Sequence, residues 1–105
     1  MYIPLHKPYF DEQEQKAVTR AIKHGMIGKG PFVSEFEKRF KEYIGASHAI
    51  AVNSCTSALQ LCVDALDIYK GDEVIVPSMT FSASVLPILY KGATPVFVDI
   101  LDKDM

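Results

Sequence analysis

Apolar positions recur along this chain at two different periods. Ala17, Val18, Ala21 and Ile22 share one face of a helical pattern that runs to about His24. Asp11, with Glu14 three residues on, reads as its N-cap and capping pair, and Gly25 as the residue just past its end. A second helical pattern runs from Pro31, a residue suited to a first turn, to about Ile44, and Gly45 closes it. Phe32, Phe36, Phe40, Tyr43 and Ile44 form its stripe, while Glu35, Glu37, Lys38, Arg39, Lys41 and Glu42 lie mainly elsewhere, so the aromatics read as packing. Three short apolar runs then read as strands, at 48–53, 73–77 and 95–99. Between them lie helices over 56–67, with Leu59, Cys62, Val63 and Leu66 on one face, and over 80–91, with Phe81, Val85, Leu86, Leu89 and Tyr90 apolar. Pro87 should kink the second of these or mark a later start, and Gly92 stops it.

Strands alternating with helices predict an α/β fold: a βαβαβ parallel sheet with right-handed crossovers, preceded by two helices. Ligands of such sheets bind beyond the carboxyl ends of the strands, where both Asn53–Ser57 and Ser78–Ser82 would fall. A three-stranded parallel sheet also leaves faces and edges to be covered. The chain stops six residues past Asp99, where the next element should begin, so it reads as the N-terminal part of a larger protein.

Composition narrows the class without changing the architecture. With 49% hydrophobic and 23% charged residues the chain reads as soluble and globular, and a net charge of −2 gives no electrostatic reason to expect nucleic acid or an anionic membrane as partner. No apolar run approaches the roughly 20 residues that span a bilayer. Residues 1–8 lack a signal peptide's apolar centre, which predicts a cytoplasmic location. Cys55 and Cys62 stand seven residues apart on one predicted helix. Two turns separate their Cα atoms by about 10.5 Å, beyond the roughly 7 Å reach of a disulfide. They lack Cys-x-x-Cys spacing, and no metal site is expected.

The candidate chemistry centres on Asn53-Ser54-Cys55-Thr56-Ser57-Ala58-Leu59, where a strand hands over to a helix N-terminus. The first N–H groups of a helix lack intrahelical partners and the dipole adds partial positive charge, so a phosphate fits there, with Ser and Thr hydroxyls as further donors. The same residues would equally make an ordinary Ser/Thr N-cap in a βα turn. The Gly25–Pro31 loop has three glycines, yet lacks both a dinucleotide fingerprint and a P-loop ending. Asp72 and Glu73, beside a glycine turn, read as a solvated corner rather than an acid–base pair.

Taken together, six segments resemble the DegT/DnrJ family of pyridoxal-phosphate-dependent sugar aminotransferases. They are Gly28-Lys29-Gly30-Pro31, Phe36-Glu37, Val52–Leu59, Gly71–Ser78, Thr80-Phe81-Ser82-Ala83 and Gly92–Asp99, in order and at family spacing. The resemblance implies the N-terminal part of the type I aminotransferase fold, with residues 1–105 an incomplete segment of the large cofactor-binding domain. It implies pyridoxal 5'-phosphate as cofactor, its phosphate held at Cys55, Thr56 and Ser57 and its ring stacked on Phe81. It further implies a nucleotide-linked keto-sugar substrate, an amino donor such as glutamate, and a homodimer with Gly28–Pro31 near the site's mouth or the partner subunit.

Two departures qualify what the resemblance implies. The family's Schiff-base lysine, the acid beside the pyridine nitrogen and a nearby glutamine all lie beyond this chain's end, and none of its lysines stands at the family position. No catalytic residue is therefore expected within the chain, which alone should be inactive. Cys55 also stands where a small Gly or Ala is usual. Two other readings accompany the aminotransferase segment: a non-catalytic phosphate-binding remnant, and a structural partner of a separate chain that carries the lysine.

Overall fold

The computed structural model describes residues 3–26 and 28–101. Residues 2–10, with two prolines, read as an extended lead-in; Tyr2 of that segment, Ile27 of the glycine loop and Lys103 lie outside the described residues. The chain divides into two compact units, one running to Ala51 and one from Val52.

The first unit holds two helices, α1 (Glu12–His24) and α2 (Pro31–Ile44). Asp11 closes a capping box: its carboxylate accepts the Gln13 N–H at 2.6 Å, and Glu14 accepts the Asp11 N–H at 2.7 Å. Gly25 ends α1 in the left-handed region at φ 76°, where a Cβ would be strained. At Gly30, the N-cap of α2, the constraint is space, since an added Cβ would stand 3.1 Å from the Met26 Cβ. The His24 ring meets Phe32 edge-on, with centroids 6.0 Å apart.

Neither helix buries the face that its periodicity marks. Val18 and Ile22 on α1 are exposed, and so is the α2 stripe, where Phe36 and Phe40 only lean on each other at 5.8 Å. The spacing correctly marks an apolar side, but the expected packing is absent among the described residues.

The second unit is the α/β part. Helix α3 spans Cys55–Ala65, β1 Glu73–Pro77, α4 Leu86–Tyr90 and β2 Thr94–Val98, with a 3₁₀ turn at Ser82–Ser84 before α4. The strands pair in parallel from Glu73 opposite Thr94 to Pro77 opposite Val98. The Thr94 N–H donates to the Asp72 carbonyl at 2.9 Å and the Ser78 N–H to the Val98 carbonyl at 3.3 Å, extending the ladder at both ends. Pro95 stands opposite Val74.

The core of this unit lies under the crossover. Val76, Ala83, Ile88 and Ala93 are buried, and Pro87 is enclosed completely. Helix α3 packs on the 3₁₀ turn and on α4, and α4 packs on β2. Lys91, just past α4, reaches Asp64 of α3 at 2.7 Å.

The α/β class and the parallel pairing are as expected, but three local expectations need correction. Among the described residues, 48–53 form no strand and find no ladder partner; Ile50 is exposed, and the Ala51 N–H is taken by a side chain. Among the described residues the sheet therefore has two strands where three were expected. The single helix expected over 80–91 is a 3₁₀ turn followed by α4, because Pro87 has no backbone N–H and so sits in a first turn. The face shared by Leu59, Cys62 and Leu66 predicts burial, yet Cys62 is an exposed free thiol, as is Cys55.

Two predictions follow from this packing. Ile88 is 2% exposed, so Ile88→Ala should destabilise the fold by about 2–5 kcal/mol in equilibrium denaturation; a loss close to zero would mean that the crossover is not packed as described. The second concerns pH. Lys91 holds the Asp64 carboxyl below its ordinary 3.8, and Asp64 in turn raises Lys91 above its ordinary 10.5. A depressed carboxyl contributes stability above its unfolded value and loses it as pH falls through the folded one; a raised ammonium contributes below its unfolded value and loses it as pH rises through the folded one. The stabilisation should therefore be level between 3.8 and 10.5 and fall away at both ends. Thermal melts of wild type and Asp64→Asn should differ most on that plateau and converge in acid; a gap independent of pH would refute the pairing.

Candidate functional site

The N-terminus of α3 gathers three of the four residues singled out in the sequence. Ser54 is its N-cap, in extended conformation, and Cys55, Thr56 and Ser57 are its first three residues. The Ser57 N–H donates to the Ser54 Oγ at 3.1 Å, and the Ala58 N–H reaches the Ser54 carbonyl at 3.1 Å. The N–H groups of Cys55 and Thr56 have no intrahelical acceptor and no other partner among the described residues.

The hydroxyls divide into committed and free. Ser57 Oγ donates to Asn53 Oδ1 at 2.9 Å. The Ser54 and Ser57 hydroxyls are also 2.9 Å apart, and with the Ser57 proton already given to Asn53, Ser54 is the donor between them. Both serine protons are thus used inside the turn. Thr56 is exposed and forms no side-chain hydrogen bond among the described residues. Among the first three residues of α3, the N–H and O–H donors left free are the N–H groups of Cys55 and Thr56 and the Thr56 hydroxyl.

Phe81, the fourth residue, opens the 3₁₀ turn and is 77% exposed. Its carbonyl accepts the Ser84 N–H at 2.9 Å, and the Thr80 and Ser84 hydroxyls lie 2.8 Å apart across the same turn. The turn follows the carboxyl end of β1 and packs against α3, so one compact unit carries both the open helix end and the exposed ring. Asn53–Ser57 does not follow a strand, since 48–53 forms none.

Two residues without an assigned role in the sequence reading emerge from the hydrogen bonds. Asn53 orients Ser57 as described. In the first unit Glu37 accepts the Ala51 N–H at 3.0 Å with one carboxylate oxygen and Lys29 at 3.1 Å with the other. The Ala51 N–H first, and Lys29 after it, hold this carboxyl below the usual carboxylate range. Its sequence signals are the Phe36-Glu37 pair of the family resemblance and a carboxylate beside the aromatic stripe.

The arrangement suits a dianion with a flat ring attached. Two N–H groups at a helix end and a free hydroxyl match phosphate oxygens, and an exposed aromatic face takes a ring without dictating its edge.

Comparison with known proteins points to one family. The model of the DegT/DnrJ/EryC1/StrS aminotransferase family matches residues 8–105. The spore coat polysaccharide biosynthesis protein SpsC of Bacillus subtilis is 46% identical over 99 residues, which are 94% of this chain and 25% of that protein. The GDP-perosamine synthase of Caulobacter vibrioides is 46% identical over 98 residues, 92% of this chain and 26% of its own. Spr1654 of Streptococcus pneumoniae, solved in PMP and PLP forms, superposes with a TM-score of 0.87 at 41% identity, over 94% of this chain and 25% of that one. The chain thus spans about a quarter of the length of the relatives that it matches.

The cap gives a direct test of the local geometry. Ser54→Ala removes the acceptor of the Ser57 N–H and should cost about 0.5–2 kcal/mol by chemical denaturation. Ser54→Asp, which keeps an acceptor, should restore most of that loss, and equal losses in the two variants would count against the cap.

Proposed function

The chain belongs to the DegT/DnrJ/EryC1/StrS aminotransferase family, and on that premise we propose that its α3 N-terminus and Phe81 hold pyridoxal phosphate in an aminotransferase acting on nucleotide-linked keto-sugars. The observation that carries this reading is the pair of free N–H groups at Cys55 and Thr56 beside the free Thr56 hydroxyl. The PLP and PMP forms of Spr1654 support the cofactor, and the name of GDP-perosamine synthase supports a nucleotide-linked sugar.

In this reading Cys55 acts through its backbone, Thr56 through backbone and hydroxyl, and Ser57 by fixing the turn. Ser57 donates to the phosphate only by releasing Asn53. Phe81 offers its exposed face to the pyridine ring. When bound, the cofactor supplies the electron sink that lets an amino group pass from a donor such as glutamate to a sugar carbon. The residues of this chain bind and orient; they hold no group at the family's lysine position. Residues 1–105 are accordingly the N-terminal segment of the large cofactor-binding domain of a cytoplasmic homodimer.

Equilibrium titration of the intact protein with pyridoxal phosphate tests the assignment. A hydrogen bond to a charged group is worth about 1.5–3 kcal/mol, so Thr56→Val should weaken binding roughly ten- to hundredfold. Phe81→Leu keeps apolar bulk and loses mainly the ring contact, about 0.5–1.5 kcal/mol, so its cost should be smaller. The opposite ranking would move the phosphate to other residues. Binding of inorganic phosphate as tight as that of pyridoxal phosphate would favour a non-catalytic phosphate-binding module.

A further inference from the structure

Asn53, Ser54 and Ser57 all lie in the second unit, and their side chains form a hydroxyl chain that ends on a carboxamide. The Ser57 N–H donates to Ser54 Oγ at 3.1 Å, the Ser54 hydroxyl to Ser57 Oγ at 2.9 Å, and the Ser57 hydroxyl to Asn53 Oδ1 at 2.9 Å. A hydroxyl has one proton and two lone pairs, so such a chain can run in either direction. Its end group sets that direction. A carbonyl oxygen at the end draws both protons toward Asn53, whereas an amide nitrogen in the same place drives both toward Ser54. Asparagine carries both groups, and half a turn about its soft, roughly two-fold χ2 exchanges them. In the reversed chain Asn53 Nδ2 donates to Ser57 Oγ and the Ser57 hydroxyl donates to Ser54 Oγ, which still accepts the Ser57 N–H. Three hydrogen bonds hold the turn in either direction, and no backbone atom has to move. The difference is the Ser54 proton, committed to Ser57 in one direction and left over in the other.

We propose that Asn53 is a two-position switch for the phosphate cradle, whose rotation reverses the Ser54–Ser57 chain and releases the Ser54 proton as a further donor to the cofactor's phosphate. The proposal rests on the cofactor reading above. Asn53 is a positioning residue, because it acts through Ser57. Ser54 is the N-cap, so its freed proton emerges at the same end of α3 as the Cys55 and Thr56 N–H groups. Without an anion the inward direction holds, because it leaves no serine proton over within the turn. A dianion reverses the preference, since a hydrogen bond to a charged acceptor is roughly twice as strong as one between neutral groups. The ligand thereby selects between two arrangements with the same number of internal bonds, by its differential affinity for them. This route spares the turn: donation by Ser57 breaks its bond to Asn53, whereas donation by Ser54 leaves the helix cap closed.

Titration of the intact protein with pyridoxal phosphate, followed by NMR of the Asn53 carboxamide, tests the switch. On saturation one Asn53 Nδ2 proton should exchange severalfold more slowly as it engages Ser57. Pyridoxal, which lacks the phosphate, should leave that proton as it was. Asn53→Asp locks the chain inward, because an ionised carboxylate only accepts. Its charge also repels the dianion, and Ser57→Ala separates the two effects by removing the link between residue 53 and Ser54. With the link present, Asn53→Asp costs the Ser54 contact as well as the repulsion; without it, the repulsion alone. The affinity loss caused by Asn53→Asp should therefore be about tenfold larger in the wild-type background than in Ser57→Ala, the worth of one bond to a charged group. Equal losses in the two backgrounds would overturn the switch. So would an Nδ2 proton unmoved by saturating pyridoxal phosphate, or slowed as much by pyridoxal, and the cofactor reading would survive each of these results. If wild type binds no pyridoxal phosphate, the cofactor reading falls and the switch falls with it.

Discussion

A parallel pair of strands cannot be closed by a tight turn, because the chain must travel back along its own length before the second strand begins. That constraint organises the second unit. The return path from Pro77 to Thr94 has to lie on the sheet, and the residues that make it do so are the buried ones: Ala83 in the 3₁₀ turn, Pro87 and Ile88 in α4, and Ala93 before β2. Helix α3 then covers the crossover, with the Asp64–Lys91 pair at one end of the contact. The first residues of the return path, Ser78 to Phe81, are left at the carboxyl end of β1 with the ring exposed. Site and core are thus consequences of one topological requirement.

The helix ends are legible in the sequence because they depend on groups within a few residues of each other. Asp11 and Glu14, Gly25, Pro31, Gly45 and Ser54 each act on backbone that the sequence places beside them. Strands 73–77 and 95–99 are legible to within a residue, since their apolar runs are bounded by turns. The run at 48–53 has the same composition yet forms no strand, because a strand is a pairing and composition does not name the partner. The α2 stripe fails in a related way: its spacing identifies a side, not what lies against it. Pro87 left two outcomes open from composition alone, and the chain takes the later start.

The site is legible at a coarser grain. That Cys55, Thr56 and Ser57 open a helix follows from the pattern, and the family resemblance is borne out over residues 8–105. The division of labour among the hydroxyls is not legible, since it turns on side-chain rotamers. Ser54 and Ser57 spend their protons on the turn itself, with Asn53 as the final acceptor, and this leaves Thr56 as the outward donor. A turn rich in hydroxyls therefore offers fewer donors to a ligand than its composition suggests. Glu37 is harder still to read, because its partners lie eight residues before it and fourteen after it.

The register of β2 carries one more consequence. Donors in a strand alternate sides, and Thr94 points its N–H at β1, so the next residue, Pro95, faces the other way. Proline has no hydrogen to give there. The outer margin of β2 therefore cannot continue an unbroken ladder, whereas that of β1 lacks a donor only at Pro77, its last residue. Growth of this sheet is one-sided: a further strand can zip along Glu73 and Ile75, but beside β2 it would meet a missing rung almost at once. By its own sequence β2 is a terminal strand, and the sheet is protected from indiscriminate edge-to-edge joining on that side.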